Sequence, residues 1–440
     1  MEELSLKNTK EKIYKEVLDN GLKIYLYPNK NSKTFYLSLS TKYGSNYTRF
    51  KYKNDKEYKE TPNGVAHFLE HITFHLDGKD ADELFAPYGA YINAFTNHLK
   101  TSYVVEGTNN INECLDNLLY YVYTPYYTEE TVQNEKGIIK EESKRGDDDP
   151  NRLFWKYRYK TLFSESNFKA KIVGELEEID SISLEDINNA YSYFYHPSNM
   201  YLVISGNFDI KDIMKVINKR MNTFAFDKHQ DVIVDIPNEP YEVKESHKEI
   251  NANILLPKVS ISLKMPLKDV NKTGLSLYEY DLYLDLILEN NFGITSSYYE
   301  EIINNKISTV TSSAFSDLND DYITIHIINT PSMDKIDDFI KLTEKQLNNL
   351  MVSEEELSRK KKSIISDYLL SFDDNVSVTN NIDSDIIYFD DIHTDCIDVI
   401  KRLDKDIIDT IIDSIDINNK SILIMKPNSD KWLFTSIYNE

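Results

Sequence analysis

Cysteine is almost absent from this 440-residue chain, which contains only Cys114 and Cys396. The two residues lie far apart in the sequence and have no spacing typical of a metal site. This excludes a disulfide framework and is typical of proteins in a reducing compartment. The sequence therefore predicts a cytoplasmic protein.

Long apolar runs are also missing. No stretch approaches the roughly 18 apolar residues that a membrane-spanning helix needs. The first 17 residues, MEELSLKNTKEKIYKEV, have no apolar core of the kind found in signal peptides. We expect neither a signal peptide nor a membrane span.

Basic residues are few relative to acidic ones: 50 Lys and Arg against 73 Asp and Glu, for a net charge of −23. Nucleic-acid binding would require a basic face, so this function class is disfavoured. An acidic surface can steer cationic peptides, but an acidic globular protein with no implied partner is the simpler interpretation. The 41% hydrophobic and 28% charged residues are typical of soluble globular proteins.

Hydrophobic periodicity divides the chain into two halves with the same order of elements. The first half predicts strand 34–40, helix 62–76, strand 101–106, helices 110–124 and 128–145, and strand 199–206. The second half predicts strand 259–265, helix 274–290, strand 322–328, helices 333–350 and 353–370, and strand 421–427. A chain of this length exceeds one ordinary core, so at least two domains are expected.

One pair of segments shows the repeat directly. TEETVQNEKGIIKEES begins at Thr128 and SEEELSRKKKSIISDY begins at Ser353, an offset of 225 (353 − 128). Each opens with a hydroxyl cap and an acidic first turn, as helices do. We predict an α+β fold of two duplicated domains, 1–230 and 231–440, each a mostly antiparallel sheet flanked by helices. The polar segment 226–250, with its two prolines, is the expected linker.

The segment GVAHFLEH (64–71) contains the pattern of a metal site. His67, Glu70 and His71 stand at i, i+3 and i+4, so they share one helix face. The pattern H-x-x-E-H is the inverted form of the metalloprotease motif H-E-x-x-H. Two imidazoles in adjacent turns can bind one zinc ion, and a catalytic zinc takes a third protein ligand and an open position.

The helix predicted at 128–145 offers two candidates for the third ligand, Glu135 and Glu142, which are seven residues apart and return to nearly the same face. Ile138 and Ile139 are predicted to lie on that face, so both carboxylates should point inward. Glu70 would then be the general base that takes a proton from metal-activated water. The resulting hydroxide would attack a polarised carbonyl, so the predicted reaction is peptide-bond hydrolysis. The alternative is a satisfied helix pair with no metal.

Several motifs resemble the pitrilysin/insulysin-type metallopeptidases, the family that includes the mitochondrial processing peptidase. Besides HFLEH, they are the opening strand LDNGLKIYLYPN (18–29), the turn YGSNY (43–47), the run G-x-x-x-N-A-x-T-x-x-x-x-T-x-Y starting at Gly89, the helix NEKGIIKEE (134–142) and the strand YFYHPSNMYLVISGNFD (193–209). These blocks follow in order through nearly the whole first half. The resemblance implies that the two domains form half of a clamshell.

The resemblance also implies roles for individual residues. His67, His71 and Glu142 would bind one Zn²⁺ per chain, Glu70 would be the catalytic base, and Glu135 would orient a zinc ligand. Asn93 and Ala94 would contact the substrate backbone on an edge strand that the peptide joins by β-augmentation; the alternative for Asn93 is an ordinary turn or edge-strand residue. His75 and His98 match no functional position of the family, and we interpret both as structural or exposed.

The second half departs from the family pattern. It has no H-x-x-E-H, so the zinc site should belong to the first half alone. The family's substrate-holding Arg and Tyr align with Ile303 and Thr309, neither of which can stabilise an oxyanion in the same way. In the mitochondrial processing peptidase, the zinc and these residues are divided between two subunits. We therefore expect a heterodimer whose homologous subunit supplies Arg and Tyr, with a homodimer as the alternative.

The resulting functional hypothesis is a zinc-dependent endopeptidase that hydrolyses unfolded peptides, leader peptides or pro-peptides inside a closed chamber. The alternative is a non-catalytic peptide-binding or structural subunit that retains a zinc site. Peptide substrates and a homologous subunit are the expected partners, and no nucleic acid is expected.

Overall fold

A computed structural model describes residues 1–319 and 321–428. Contacts between residues divide the chain into two compact units. Unit 1 contains Met1–Arg145, Ala170–Pro237 and Tyr368–Asp395, and unit 2 contains Gly146–Lys169, Asn238–Asp367 and the chain from Cys396. None of the helices in the described residues is both long and apolar enough to cross a membrane.

The strands carry most of the long-range pairing. In chain order they are β1 Glu2–Ser5, β2 Lys12–Val17, β3 Lys23–Pro28, β4 Phe35–Thr41, β5 Arg49–Tyr52, β6 Lys59–Glu60, β7 His75–Leu76, β8 Lys79–Asp80, β9 Tyr91–Thr96, β10 Thr101–Gly107, β11 Met200–Gly206, β12 Val232–Val234, β13 His247–Ala252, β14 Lys258–Pro266, β15 Ser313–Leu318, β16 Tyr322–Asn329 and β17 Lys420–Pro427.

The α-helices flank the sheets. They are α1 Val65–Thr73, α2 Asp82–Phe85, α3 Ile111–Tyr123, α4 Glu129–Asp148, α5 Pro150–Leu162, α6 Leu176–Ser181, α7 Leu184–Phe194, α8 Ile210–Met221, α9 Leu267–Val270, α10 Leu277–Phe292, α11 Ser297–Asn304, α12 Ile336–Leu347, α13 Glu354–Leu370, α14 Asn375–Phe389, α15 Cys396–Arg402 and α16 Lys405–Ser414. Short 3₁₀ turns occupy Ala86–Tyr88, Asn167–Lys169, Pro197–Asn199, Asn271–Thr273, Met333–Lys335 and Ser371–Asp373.

The two large sheets share one topology. The sheet of unit 1 runs β1-β2-β3-β11-β4-β10-β9, and that of unit 2 runs β13-β17-β14-β16-β15. In both, one parallel pair (β3 with β11, β13 with β17) is followed by three antiparallel pairs. The last five strands of unit 1 therefore match unit 2 strand for strand. This confirms the predicted α+β fold with duplicated sheets flanked by helices.

Each sheet is buried on both faces, as the central strands β11 and β14 show by having nearly every residue buried. In unit 1, α1, α3, α7 and α8 contribute to the core on one face. On the other face, Tyr25, Tyr27, Tyr201 and Val203 pack with apolar residues of α14. A strand with two buried faces needs helices on both sides.

The helix that completes each unit comes from the other half of the sequence. α14 belongs to unit 1, while α5, which begins 225 residues earlier (375 − 150), packs against β14 and β17 of unit 2. The sequence-based boundary at 230/231 lies close to the crossover at 237/238, but it does not anticipate these two exchanged segments. Helical periodicity shows that a helix has an apolar face and does not show which sheet covers it.

Asp383 anchors α14 to the sheet of unit 1. The Tyr201 hydroxyl donates to its Oδ1 at 2.5 Å, and Ser40 donates to the same atom at 3.4 Å. Lys100 forms a buried ion pair with Asp383, and burial lowers the pKa of Lys100 to about 7. A buried carboxylate is retained because it has these partners.

Most predicted elements occur within a few residues of their expected bounds, with two differences. The helix predicted at 62–76 ends at Thr73, because His75 and Leu76 pair with β8 instead of continuing the helix. The segment 226–250 is not merely a linker: it contains β12, which pairs with β5, and most of β13, which pairs with β17. These strands owe their pairing to distant partners, so their own sequence carries a weak signal.

Candidate metal centre

The helix α1 presents His67, Glu70 and His71. It packs against α7 and β9, and eight of its nine residues are buried. The helix starts after Gly64, whose φ of +93° lies in the left-handed region. A Cβ at this position would lie 2.5 Å from the carbonyl oxygen of Val173. Glycine is therefore required twice over, by the backbone conformation and by the close approach of residue 173.

Replacing Gly64 with Ala should destabilise unit 1 and displace the start of α1. The left-handed conformation alone costs roughly 1–2 kcal/mol for a residue with a Cβ, and the clash with Val173 adds to this cost. The matched control is Gly78→Ala, at φ +76° with no atom within 4 Å of the added Cβ. Thermal unfolding should show a clearly larger loss for Gly64→Ala than for Gly78→Ala; equal losses would contradict the role of the close approach.

Three donor atoms converge beside α1. The ligand atoms of His67, His71 and Glu142 all lie within 4.8 Å of one another. Oε2 of Glu142 is 3.6 Å from Nε2 of His67 and 3.4 Å from Nε2 of His71. Among the residues the structure describes, this is the one group of three or more His, Cys, Asp or Glu side chains with such geometry.

These separations fit a shared zinc ion. They are longer than ordinary N–H···O hydrogen bonds of 2.7–3.2 Å. Tetrahedral zinc, with ligand bonds of about 2.0–2.2 Å, places its donor atoms roughly 3.3–3.6 Å apart. Two imidazole nitrogens and one carboxylate oxygen are also a known catalytic donor set for zinc.

Glu135 differs from Glu142, although both lie on α4. Its Oε1 is 2.9 Å from Nδ1 of His71, which is a hydrogen bond. The Glu135 side chain is 5% exposed and that of Glu142 is 27% exposed. Glu135 thus contacts the ring nitrogen of His71 that faces away from the three converging donors.

The electrostatics of the pair follow from these contacts. Burial lowers the pKa of His71, but the interactions with Glu135, Glu142 and Glu70 together outweigh it and raise the pKa to about 9. Burial raises the pKa of Glu135, and hydrogen bonds from His71 and His75 outweigh it and lower the pKa to about 2. Since a metal-bound imidazole must be neutral at the coordinating nitrogen, metal binding would release a proton from His71.

Glu70 lies on the same helix and is 7% exposed. Thr96 on β9 donates a hydrogen bond from its hydroxyl to Oε2 of Glu70 at 2.6 Å. Burial raises the pKa of Glu70, which the hydrogen bond from Thr96 partly offsets. The contact fixes one carboxylate oxygen and leaves Oε1 for a second partner.

Asn93 and Ala94 lie on β9, the last strand in the sheet order, which among the described residues pairs with β10 alone. The Asn93 side chain is exposed, and its amide oxygen accepts from the backbone N–H of Ala94 at 2.9 Å. Thr96 joins the same strand to Glu70. The structure thus brings the five predicted residues of α1 and α4 together and places Asn93 and Ala94 on a neighbouring edge strand.

The prediction for Ile138 is wrong. Ile139 is fully buried, but Ile138 is 54% exposed. At about 100° per residue, Ile138 is turned to the side of Glu135 away from Ile139. The inward face of α4 consists instead of Val132, Glu135, Ile139 and Ser143.

Two contacts at the centre were not predicted from the sequence, that of His75 with Glu135 and that of Thr96 with Glu70. Nε2 of His75 is 3.0 Å from Oε2 of Glu135, a contact that the sequence did not predict. Its spacing of four from His71 was the available signal. Thr96 belongs to the quoted motif run, but its contact with Glu70 depends on how β9 packs against α1.

Comparisons with known proteins identify the relatives of this chain. Residues 56–176 match the family model described as insulinase (peptidase family M16), and residues 181–364 match that of the peptidase M16 inactive domain. The uncharacterized zinc protease YmfH of Bacillus subtilis is 34% identical over 292 residues, 66% of this chain and 68% of that protein. The chain belongs to the M16 peptidase family. The resemblance inferred from the motifs is therefore confirmed.

Two further relatives extend this result. A solved M16-like peptidase from Alicyclobacillus acidocaldarius superposes with a TM-score of 0.89 at 25% identity, covering 96% of this chain and all of that one. A probable mitochondrial-processing peptidase subunit beta of Arabidopsis thaliana is 25% identical over 217 residues, 48% of this chain and 39% of that protein. The M16 fold is thus shared along nearly the whole chain.

Proposed function

We propose that this M16 protein is a zinc-dependent endopeptidase. The observation that carries the proposal is the spacing of 3.4 and 3.6 Å between Oε2 of Glu142 and the Nε2 atoms of His71 and His67. Those distances are longer than typical hydrogen bonds and match the spacing of donors around one zinc ion. Glu70 lies on α1 with His67 and His71, so a general base stands beside the donor atoms.

Each residue of the centre has one role in this proposal. His67, His71 and Glu142 would hold zinc, which when bound would polarise the peptide carbonyl and acidify water. Glu70 takes a proton from the attacking water and passes it to the leaving amine, while the hydrogen bond from Thr96 keeps its carboxylate in place. Glu135 accepts from Nδ1 of His71, which orients the ring and raises the basicity of Nε2.

The substrate is an extended, unfolded peptide. In residues 1–319 and 321–428, no strand pairs with the side of β9 opposite β10, and a peptide can add there as a further strand. Asn93 and Ala94 lie in the middle of β9, so we assign them to the substrate backbone. Thr96, at the end of this strand, connects the bound peptide to Glu70.

A homologous subunit completes the enzyme in our proposal. Ile303 lies near the end of α11 and is 38% exposed, and Thr309 lies after this helix and is also exposed. Ile303 has no hydrogen-bond donor, and the short neutral side chain of Thr309 replaces neither an Arg nor a Tyr. Residues 181–364 match the inactive-domain model. One relative is itself named as a subunit, the probable processing peptidase beta of Arabidopsis. A heterodimer supplying Arg and Tyr is favoured over a homodimer.

The same match to the inactive-domain model favours one alternative, a peptide-binding subunit that holds zinc without catalysis. In that case zinc would bind and peptides would remain intact under every condition. The complete set of three donors and Glu70 argues for catalysis.

The test uses the 440-residue chain with a mixture of unstructured peptides, analysed by mass spectrometry. The chain is assayed alone and with a homologous subunit of the same organism that carries Arg and Tyr. We expect about one zinc per chain and cleavage that a chelator stops and zinc restores. The homologous subunit should increase the rate strongly. Zinc binding without cleavage, even with that subunit, would refute the peptidase and support the alternative.

A further inference from the structure

His75 is held between two carboxylates. Its Nδ1 is 2.9 Å from Oδ1 of Asp80, and its Nε2 is 3.0 Å from Oε2 of Glu135. Carboxylates accept hydrogen bonds and do not donate them when ionised, so both ring nitrogens carry a hydrogen. His75 is therefore an imidazolium cation, and its hydrogen bond with Glu135 raises its pKa.

A short hairpin builds this arrangement. His75 and Asp80 are cross-strand partners in the pair β7 and β8, which are joined by a turn at Asp77 and Gly78. Gly78 has a φ of +76°, as a tight hairpin turn requires. The hairpin begins two residues after α1 ends, so it places His75 directly beside the outer oxygen of Glu135.

The contacts form a continuous chain from the surface to the metal centre. Asp80 is 64% exposed, His75 is 34% exposed and Glu135 is 5% exposed. Oε2 of Glu135 binds His75 and Oε1 binds Nδ1 of His71, so both oxygens of this buried carboxylate have a cationic or polar partner. Without His75, one oxygen of a buried carboxylate would lose its partner, which is costly.

Charge balance points the same way. Glu70, Glu135 and Glu142 bring three carboxylates to the centre, and a bound zinc ion would offset two negative charges. The His75 imidazolium adds a positive charge between the buried Glu135 and the exposed Asp80. Close charges in a partly buried site interact strongly, so this cation favours the ionised form of Glu135.

We propose that His75 is a positioning residue of the metal centre: it holds the Glu135 carboxylate against Nδ1 of His71 and thereby strengthens His71 as a metal ligand. The inference rests on the proposed function, because it concerns the zinc that His67, His71 and Glu142 would hold. It assigns a role to a histidine that touches neither the metal donors nor a substrate.

The test measures zinc retention in the 440-residue chain. Zinc release to a chromogenic chelator is compared for the unchanged protein, His75→Ala, His75→Gln and the control His247→Ala. His247 is another histidine beside a carboxylate, 3.6 Å from Glu249 on β13. We expect release from His75→Ala to accelerate about 10-fold or more, in the range known for partners behind metal ligands. His75→Gln, whose amide can still donate to Glu135, should recover part of the loss, and His247→Ala should change nothing.

Thermal unfolding of each zinc-free variant separates positioning from general destabilisation. The proposal requires faster zinc release from His75→Ala with an unfolding midpoint close to that of the unchanged protein. If His75→Ala does not fold, the same comparison is made with His75→Phe, which keeps a ring of similar shape but has no donor for Glu135. Unchanged release in the folded variants would overturn the inference alone, whereas an unchanged protein that binds no zinc would overturn the proposed function with it.

Discussion

The Glu70→Gln variant is expected to bind zinc normally and to lose nearly all peptidase activity. Glutamine has the same shape and keeps an oxygen for the hydrogen bond from Thr96, so the helix and the metal donors should be undisturbed. It cannot accept a proton from water at neutral pH. General bases contribute roughly 10²–10⁴-fold to a rate, so kcat/KM for a quenched-fluorescence peptide should fall by about that factor.

Glu106→Gln serves as the control for this prediction, because Glu106 is an exposed glutamate on β10, outside the metal centre. Its activity should equal that of the unchanged protein. Zinc content is determined for both variants by elemental analysis. If Glu70→Gln retained more than a tenth of the activity with a full complement of zinc, Glu70 would not be the base.

The Glu142→Gln variant is expected to lose zinc itself. The change replaces the only carboxylate among the three converging donors with a neutral amide, a much weaker zinc ligand. Substitutions behind a metal ligand already weaken binding by about 10–100-fold, and loss of a direct ligand should exceed that range. After dialysis the variant should hold far less than the roughly one zinc per chain expected of the unchanged protein, and peptide cleavage should disappear with the metal.

The neighbouring residue provides the matched control. Glu141 is exposed and bonds to Lys144 at 2.7 Å on the outer face of α4. Glu141→Gln should therefore keep both zinc and activity. Glu135→Gln gives a third comparison: it should weaken zinc binding less than Glu142→Gln does. The reverse order would mean that Glu135, and not Glu142, is the third donor.

Much of the fold was predictable because its signals are local. The spacing of His67, Glu70 and His71 places them on one face of any helix, and the structure has all three on the helix α1. Hydroxyl caps at Thr128 and Ser353 predicted two helix starts at an offset of 225, and both cap hydrogen bonds form in the structure. The repeated order of hydrophobic patterns predicted two equivalent sheets, and the matching strand orders confirm this prediction.

Other features depended on contacts between distant parts of the chain. Spacing alone left Glu135 and Glu142 equivalent, because seven residues return to nearly the same helix face. Their contacts with His71 distinguish them. Oε1 of Glu135 lies 2.9 Å from Nδ1 of His71, and Oε2 of Glu142 lies 3.4 Å from Nε2 of the same ring. The outward position of Ile138 reflects the packing of α4.

The sequence by itself determined the local geometry of the site, the duplication and the family, because helix rotation and motif spacing act within a few residues. The tertiary structure alone decided the exchange of α5 and α14 between the units and the contact of His75 with Glu135. Those outcomes depend on contacts between residues far apart in the chain. Such contacts are decided by packing, which no local pattern encodes.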